Sequence, residues 1–126
     1  MATYEVDGAQ LHRSTVMTHT VSIVLNIAAD KAEEFERAFE ENEVPIWRDL
    51  HAKGIMLRAS LSPLDISTVR EKGAKQYLVL AQFHDSSGHH AHDGDPRFER
   101  WNEMADAYQP EEPFVFGGDS LYEVGG

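Results

Sequence analysis

The sequence predicts a single α+β domain in which two helices cover one face of an antiparallel sheet. Three observations lead to this fold class. Four short stretches are β-branched or alternate between apolar and polar residues, two longer stretches carry apolar residues at helical spacing, and the segments follow the order β-α-β-β-α-β. The length of 126 residues fits one domain. We expect an N-terminal arm over residues 1–19, loose or with an extra edge strand near residues 10–17, and the domain over residues 20–126.

The first strand and the first helix are predicted from residues 21–54. Residues 21–27 form a short β-branched run whose odd-numbered positions are all apolar, so that face suits a helix-covered core. Asp30 with Glu33 resembles a capping box. Pro45 predicts a break in the helix, since proline removes a backbone hydrogen bond. The apolar positions at helical spacing are Ala32, Phe35, Phe39, Ile46 and Leu50.

Two alternating strands are predicted next, at residues 55–61 and 76–84. In the first, one face carries Ile55, Leu57, Ala59 and Leu61, and the other carries Met56, Arg58 and Ser60. In the second, one face carries Tyr77, Val79, Ala81 and Phe83, and the other carries Leu78, Leu80, Gln82 and His84. Residues 85–88 have the composition of a turn.

The second helix and the fourth strand complete the domain. Asp95 is a favourable N-cap, with Pro96 at the first helical position. Phe98, Trp101, Ala105 and Tyr108 form the inward stripe. Residues 114–124 are predicted as the last strand, with a bulge or bend at Gly117 and Gly118.

This order is that of the ferredoxin-like fold, with both helices on one face of the sheet. The other face would remain uncovered in a single chain. Because an apolar sheet face is unusual on a monomer's surface, we expect a second copy of the chain to cover it.

The composition excludes several classes of binding partner and of catalytic or metal site. The 22 acidic and 11 basic residues give a net charge of −11, so nucleic acid and anionic membranes are poor partners. No apolar run reaches the roughly 20 residues of a membrane-spanning helix. The absence of cysteine excludes disulfides, thiolate metal sites and a cysteine nucleophile, and it is compatible with the cytoplasmic location that we expect. No nucleotide-binding fingerprint is present, and we expect no cofactor.

Histidines are the main candidates for chemistry. If His84 shares a sheet face with Gln82, it can face the same space as Asn26 and Arg58, which would combine an acid-base group, an amide and a cation near apolar walls. The same polar groups would equally suit a dimer interface. His92 is expected in a loop before the second helix, either at a pocket mouth or as a capping residue. A metal site is a weaker alternative, because the spacing matches no standard signature; its ligands would be His84, His89, His90 and His92.

The segment from His92 through Pro96 to Phe98 resembles the His-x-x-x-Pro-x-Phe segment of antibiotic-biosynthesis-monooxygenase-like (ABM) domains, in the dimeric α+β barrel superfamily. The closing residues 120–124 are similar to their last strand. The resemblance covers residues 20–124. It implies a homodimer with facing sheets and a pocket between sheet and helices in each subunit. Cofactor-independent members oxidise polyphenolic substrates with molecular oxygen. His92 and Asn102 depart from the haem-degrading branch, which carries a tryptophan and a histidine at these positions.

We therefore expect a small-molecule enzyme of the monooxygenase type, without metal or flavin, acting on an aromatic or polyketide-like substrate. Its expected catalytic residues are His92, His84 and Asn26, with either histidine as the proton-transfer group. Its expected substrate-binding residues are Arg58, Gln82, Trp101 and Tyr122, although aromatic residues at helical spacing, such as Trp101, normally pack in a core. The alternatives are a non-catalytic dimeric binding or accessory protein and a metal-dependent enzyme.

Overall fold

The computed structural model describes residues 11–12 and 18–125. Within them, the strands are β1 (Leu11–His12), β2 (His19–Ala28), β3 (Met56–Pro63), β4 (Ala74–Phe83), β5 (Phe114–Asp119) and β6 (Glu123–Val124). The α-helices are α1 (Ala32–Asn42), α2 (Val44–Ala52), α3 (Ser86–Asp93) and α4 (Pro96–Ala105). Short 3-10 turns precede α1 and follow α4, at Ala29–Lys31 and Asp106–Tyr108.

The main sheet has four antiparallel strands in the order β3-β4-β2-β5, which confirms the predicted ferredoxin-like fold. Odd-numbered residues of β2 and β4 face the helices, as the alternation predicts. They form two adjoining apolar clusters with the inner faces of the helices. The buried members are Val21, Ile27, Phe35, Phe39, Ile46, Leu50, Met56, Tyr77, Val79, Ala81, Phe83, Trp101 and Ala105.

The first helical stretch breaks where Pro45 predicts. α1 ends at Asn42 and α2 begins at Val44, with the proline in its first turn, where the missing N–H costs nothing. The predicted capping box is wrong. Asp30 lies inside the 3-10 turn before α1, and the N-cap residue is Lys31, whose side chain makes no capping hydrogen bond.

The predicted alternation fails at the start of β3. A register shift between Met56 and Arg58 marks a bulge, so Leu57 has no place in the ladder. As a result, Met56 turns into the core with 2% exposure, while Leu57 is 38% exposed. Beyond the bulge, Arg58 pairs with Gln82 and the predicted faces are restored.

The predicted fourth strand is two separate strands. β5 ends at Asp119, and β6 leaves the main sheet to pair with β1. The pairing of β5 with β2 is regular from Phe114 to Asp119, so the bulge predicted at the two glycines is absent from this described strand. β1 lies within the predicted edge strand, but residues 1–10 and 13–17, most of the predicted arm, lie outside the described residues. None of the helices within residues 18–125 has the length and apolar composition of a membrane span.

The region predicted as a turn at residues 85–88 begins α3 instead. Asp85 is the N-cap, and its carboxylate accepts a hydrogen bond from the Ser87 N–H at 2.8 Å. Gly88 lies so close to the sheet that an added Cβ would be 2.8 Å from Cδ1 of Phe83. Two residues typical of turns therefore have other roles here. Asp85 caps the start of α3, and Gly88 allows α3 to contact the sheet.

Candidate functional site

A cavity of about 260 Å³ lies between the sheet and the helices. This volume is near the lower end of small-molecule pockets, about 300 Å³. The apolar part of the wall includes Phe35, Phe39, Trp47, Phe98 and Trp101. The polar part consists of Glu43, His89, His92, Asp93, Asn102 and Gln109. Most of the surface is thus suited to an apolar or aromatic ligand, with a few polar groups that can orient it.

Helix α3 brings His92 into this cavity. Residues four apart lie on the same face of a helix, so the close contact of Gly88 with Phe83 turns His92 inward as well. The ring of His92 packs against that of Phe98, with 4.4 Å between centroids. The expected loop position of His92 is therefore wrong: it is a buried helical residue, and only 11% of its side chain is exposed.

The break before α2 brings Glu43 to the same place. Glu43 occupies the junction between α1 and α2, directly before the first residue of α2. A carboxylate at a helix N-terminus is stabilised by the helix dipole. The side chain of Glu43 is 6% exposed. Pro45 thus fixes a carboxylate in the cavity wall by ending one helix and starting another.

Glu43 and His92 form a buried pair. Nε2 of His92 is 2.5 Å from Oε1 of Glu43, and Nδ1 is 2.8 Å from Oδ1 of Asp93. A deprotonated carboxylate only accepts hydrogen bonds. Each nitrogen of the His92 ring faces a carboxylate, so both hydrogen bonds form when both nitrogens carry a proton. The geometry therefore favours the imidazolium form of His92.

Two effects oppose each other in the pKa of His92. Burial disfavours the charged ring and, acting alone, would lower the pKa. The hydrogen bonds and negative charges of Glu43 and of Asp93 outweigh burial, and the pKa of His92 is raised above its usual value. The charge state of His92 thus depends on its two carboxylate neighbours.

Two buried oxygens of the cavity wall have no hydrogen-bond partner among the described residues. They are Oε2 of Glu43 and Oε1 of Gln109. The Gln109 amide is oriented by Nε2, which donates to the Ala105 carbonyl at 3.3 Å and leaves the oxygen free. Buried polar atoms normally have partners, so each of these oxygens is available to accept a hydrogen bond from a group in the cavity.

The remaining histidines of α3 and its surroundings do not form a metal centre. His89 lines the cavity, and its Nε2 is 2.8 Å from Oδ2 of Asp93. His84 and His90 are exposed. Within residues 18–125, no group of three or more potential ligands has the arrangement of a metal site. The alternative that combines His84, His89, His90 and His92 in one metal site therefore has no structural support.

The second predicted site, on the open sheet face, is not assembled. Asn26 is fully buried, and its Oδ1 accepts a hydrogen bond from Nε2 of Gln76 at 2.8 Å. Gln76 in turn donates to the Val69 carbonyl at 2.6 Å. Since Leu25 and Ile27 face the helices, Asn26 lies on the opposite sheet face from His92.

The other predicted residues fall in different environments. His84 follows the end of β4 and is exposed, so it does not extend the strand face that carries Gln82. Arg58 and Gln82 are opposite each other on the open face. Tyr122 lies in the connection between β5 and β6 and is 61% exposed. Of the predicted catalytic and substrate-binding residues, the structure brings only His92 and Trp101 to the cavity.

Solved structures with the same architecture share this arrangement of sheet and helices. One is a "putative antibiotic biosynthesis monooxygenase" from Nitrosomonas europaea, with a TM-score of 0.70 and 13% identity over 89% of this chain and 98% of that chain. A protein from Caulobacter crescentus CB15 with the same description has a TM-score of 0.64 and 21% identity over 83% and 91%. PA3566 from Pseudomonas aeruginosa has a TM-score of 0.64 and 17% identity over 87% and 98%.

The chain has the same fold as these solved structures. This confirms the fold-level resemblance that the segment from His92 to Phe98 predicts. No protein-family model and no curated protein matches the sequence. At identities between 13% and 21%, the similarity concerns the architecture, and the chemistry has to be argued from the cavity itself.

Sequence reasoning missed Glu43 and Gln109. Glu43 comes directly before Val44 and Pro45, and an acidic residue just before a proline-marked helix start is a recognisable N-terminal signal. Its partner is 49 residues away in the chain, however, so local pattern could not connect them. Gln109 follows α4, and no sequence pattern around it predicts that it lines the cavity.

Proposed function

We propose that this protein is a small-molecule enzyme of the cofactor-independent monooxygenase type, acting on an aromatic or polyketide-like substrate in the cavity between sheet and helices. The observation that carries the proposal is the buried Glu43–His92 pair in a largely apolar wall that includes several aromatic rings. A carboxylate and an imidazole in contact provide a proton acceptor and a compensating positive charge.

Proton removal is the step that this pair supports. A phenol or enol in the cavity would transfer its proton to the pair and become an anion. The imidazolium of His92 would then face that anion and balance its charge, which matters because an unbalanced charge is costly in a buried site. The aromatic walls would hold the substrate ring and exclude water.

Oxygen insertion then follows from the chemistry of the substrate anion. The electron-rich anion reduces molecular oxygen, and a ring methylene becomes a carbonyl. One oxygen atom enters the product and the other leaves as water, together with the two hydrogens of the methylene. In this balance the substrate supplies all the electrons, so the protein needs to supply only the proton acceptor, the charge and the shape.

The proposal assigns proton transfer to the Glu43–His92 pair, with Glu43 as the acceptor because both nitrogens of His92 already face carboxylates. His84 takes no part, because it is exposed beyond the end of β4. Asn26 receives no role in contact with substrate, since it is enclosed by Gln76 on the opposite sheet face. Trp101 remains a wall residue of the site. Arg58, Gln82 and Tyr122 are proposed to lie outside it.

We further propose that the functional unit is a homodimer formed through the open sheet faces. In a single chain, Val24, Leu78, Leu80 and Phe114 of this face are only half-buried, and Phe116 is 62% exposed. Apolar side chains arranged in this way on one sheet face are suited to packing against an identical face by two-fold symmetry.

A hydroxylated anthrone is a suitable test substrate, because it combines phenolic hydroxyls with an oxidisable methylene. Purified protein is expected to accelerate oxygen consumption and to place one atom of ¹⁸O₂ in the quinone product. His92→Gln is expected to lower kcat by about 10²-fold or more, the usual contribution of a positioned acid-base group. His51→Gln is the matched control, since His51 is exposed on α2 and remote in sequence from α3.

Two results would overturn the proposal. One is oxygen consumption by native protein that equals that of heat-denatured protein across a series of anthrones and hydroquinones. The other is a His92→Gln variant that is folded by circular dichroism and retains full kcat on a confirmed substrate.

A further inference from the structure

Asp93 connects two imidazoles of the cavity wall. Its Oδ1 is 2.8 Å from Nδ1 of His92, and its Oδ2 is 2.8 Å from Nε2 of His89. Both histidines line the cavity. All three residues belong to α3, so one turn of the helix sets the spacing of the carboxylate and its two partners. The buried Glu43–His92 pair is therefore extended by a second carboxylate and a second imidazole.

The stability of α3 does not explain a carboxylate at position 93. Asp93 is the last residue of the helix, where the helix dipole disfavours a negative charge. Its side chain is 47% exposed, and ion pairs at such exposure contribute little to stability. Its two contacts with imidazoles, by contrast, bring its charge to the cavity wall. The arrangement is thus better suited to the electrostatics of the cavity than to the stability of the helix.

The charge on the other side of His92 changes place during the proposed reaction. In the resting site, Nε2 of His92 is 2.5 Å from the carboxylate of Glu43. Once Glu43 has accepted the substrate proton, Glu43 is neutral, and the negative charge lies on the substrate and then on the reduced oxygen. Asp93 faces Nδ1 of the ring throughout. The Nδ1 side of His92 therefore keeps a constant countercharge while the Nε2 side does not.

A fixed carboxylate at Nδ1 has two effects on His92. It favours the charged ring against burial, and it contributes to the raised pKa of His92. It also fixes the ring orientation, because Nδ1–H donates to Asp93 while Nε2–H faces Glu43. Asp95, the N-cap of α4, also bears on His92, but its carboxylate is paired with Arg97 at 2.9 Å. Asp93 is thus the carboxylate suited to holding the charge of His92 when Glu43 is neutral.

His89 holds Asp93 from the other side. The ring of His89 stacks between those of His19 and His90, with 5.8 Å between centroids in each case. His19 is itself anchored to the sheet, because its Nδ1 is 3.0 Å from Oδ1 of Asp119 on the neighbouring strand. A neutral imidazole with its proton on Nε2 is sufficient to donate to Asp93. The stack therefore supplies a positioned donor that keeps the second oxygen of Asp93 toward His92.

We infer that Asp93 keeps His92 in the imidazolium form after Glu43 has taken the substrate proton, and that His89 holds Asp93 in position for this role. Asp93 and His89 are positioning residues, since they act on the substrate through His92. This inference rests on the proposed function, because it assigns roles within the same reaction.

The charge on His92 can be measured without a substrate. Glu43→Gln imitates a protonated Glu43, because the amide is neutral and keeps an oxygen for Nε2–H of His92. Nitrogen NMR of the imidazole in Glu43→Gln and in Glu43→Gln/Asp93→Asn gives the pH at which His92 loses its proton. We expect this midpoint to fall by about one pH unit when Asp93 is replaced. That is the lower end of the effect of a nearby opposite charge, as the half-exposed position of Asp93 implies.

Two further variants make the comparison specific. Glu43→Gln/Asp30→Asn removes an equal charge from the exposed 3-10 turn before α1, and it should leave the midpoint of Glu43→Gln unchanged. His89→Phe keeps a ring in the stack but removes the donor to Asp93. In the Glu43→Gln background, His89→Phe is expected to lower the His92 midpoint in the same direction as Asp93→Asn and by a smaller amount.

With a confirmed substrate, the pH dependence of kcat separates charge from structure. His92 has to be protonated to balance the substrate anion, so activity is lost as the pH rises through the pKa of His92 in the substrate complex. Asp93→Asn should move this basic limb of the profile to lower pH by about one pH unit, with little change in KM. Asp30→Asn should leave the limb in place. A purely structural role of Asp93 would instead lower kcat by the same factor at every pH.

Equal His92 midpoints in Glu43→Gln and in Glu43→Gln/Asp93→Asn would overturn the inference, as would a loss of kcat in Asp93→Asn that is uniform across pH. An unshifted midpoint in the His89→Phe variant would contradict the role of His89. These outcomes are distinct from failure of the proposed function. A shifted midpoint without any oxygen consumption supports the role of Asp93 and contradicts the monooxygenase alone, whereas turnover with an unshifted midpoint contradicts the inference alone.

Discussion

The Glu43–His92 pair predicts a specific dependence of stability on pH. The folded-state pKa of His92 is raised, so its stabilising contribution is fully present below the unfolded pKa of about 6.5 and is lost as the pH rises through the folded pKa. Replacing Glu43 by glutamine keeps the volume and one hydrogen bond to His92 but removes the negative charge. The substitution should therefore lower the free energy of unfolding most at mildly acidic pH.

The size of this effect follows from the burial of the pair. Side-chain exposures of 11% for His92 and 6% for Glu43 leave little solvent screening. A hydrogen bond between charged groups contributes about 1.5–3 kcal/mol, against about 1 kcal/mol for a neutral one, so Glu43→Gln should lower the free energy of unfolding by about 1–2 kcal/mol near pH 6. For a domain of this length, that corresponds to a fall in Tm of about 5 °C.

Thermal and urea unfolding at about pH 6 and about pH 9 measure the difference directly, with Glu40→Gln as the surface control of equal charge change. Heteronuclear NMR of the imidazole nitrogens follows His92 itself, whose midpoint is expected at lower pH in Glu43→Gln. A destabilisation of the same size at both pH values, together with an unshifted His92 titration, would refute the electrostatic coupling that we infer.

Three further outcomes are expected. Gly88→Ala should destabilise the domain by about 1–2 kcal/mol and weaken ligand binding, because the added Cβ would be 2.8 Å from Phe83; the overpacking cost exceeds the gain in helix propensity. Asp95→Ala should cost about 1 kcal/mol near neutral pH as a lost N-cap. The side-chain hydrogen bond from Arg97 lowers the pKa of Asp95 to about 2, so this stabilisation is present above the unfolded pKa and is lost as the pH falls toward 2. Phe116→Asp on the open sheet face should convert a dimer to monomers in sedimentation experiments.

Each of these outcomes has a contrary result. An unfolding midpoint of Gly88→Ala above that of the native protein would mean that α3 moves away from the sheet at no cost. A pH-independent difference between native protein and Asp95→Ala would contradict the coupling to Arg97. If the native protein sediments as a monomer, the proposed homodimer is contradicted without any test of Phe116→Asp.

Local pattern was sufficient where a feature depends on neighbours in the chain. Alternation in β2 and β4 identified the core face of the sheet, because side chains of a strand point to opposite sides with a period of two. Pro45 predicted the break between α1 and α2, since proline lacks the N–H that a helix interior needs. Asp95 marked the start of α4 for the reason that a carboxylate can satisfy a free backbone N–H.

Local pattern was misleading where packing overrides propensity. Residues 85–88 have turn composition, yet they begin α3 because Gly88 fits against Phe83. The bulge at Leu57 turns Met56 toward the core and exposes Leu57, which is the reverse of the prediction. No residue type at that position indicates a bulge. Asn26 and His84 do not form the predicted joint site. The strand ends before His84, and the Asn26 side chain accepts a hydrogen bond from Gln76 instead.

The sequence by itself determined the β-α-β-β-α-β order of the main sheet and of the two helical stretches that cover it, the helix break before α2 and the presence of a histidine before α4. Only the tertiary structure decided that this histidine is buried against Glu43 and that two acceptor oxygens of the same cavity wall have no partner among the described residues. The reason is physical. Periodicity and capping act over a few residues, whereas burial, charge pairing and the raised pKa of His92 arise between segments that meet only when the helices pack on the sheet.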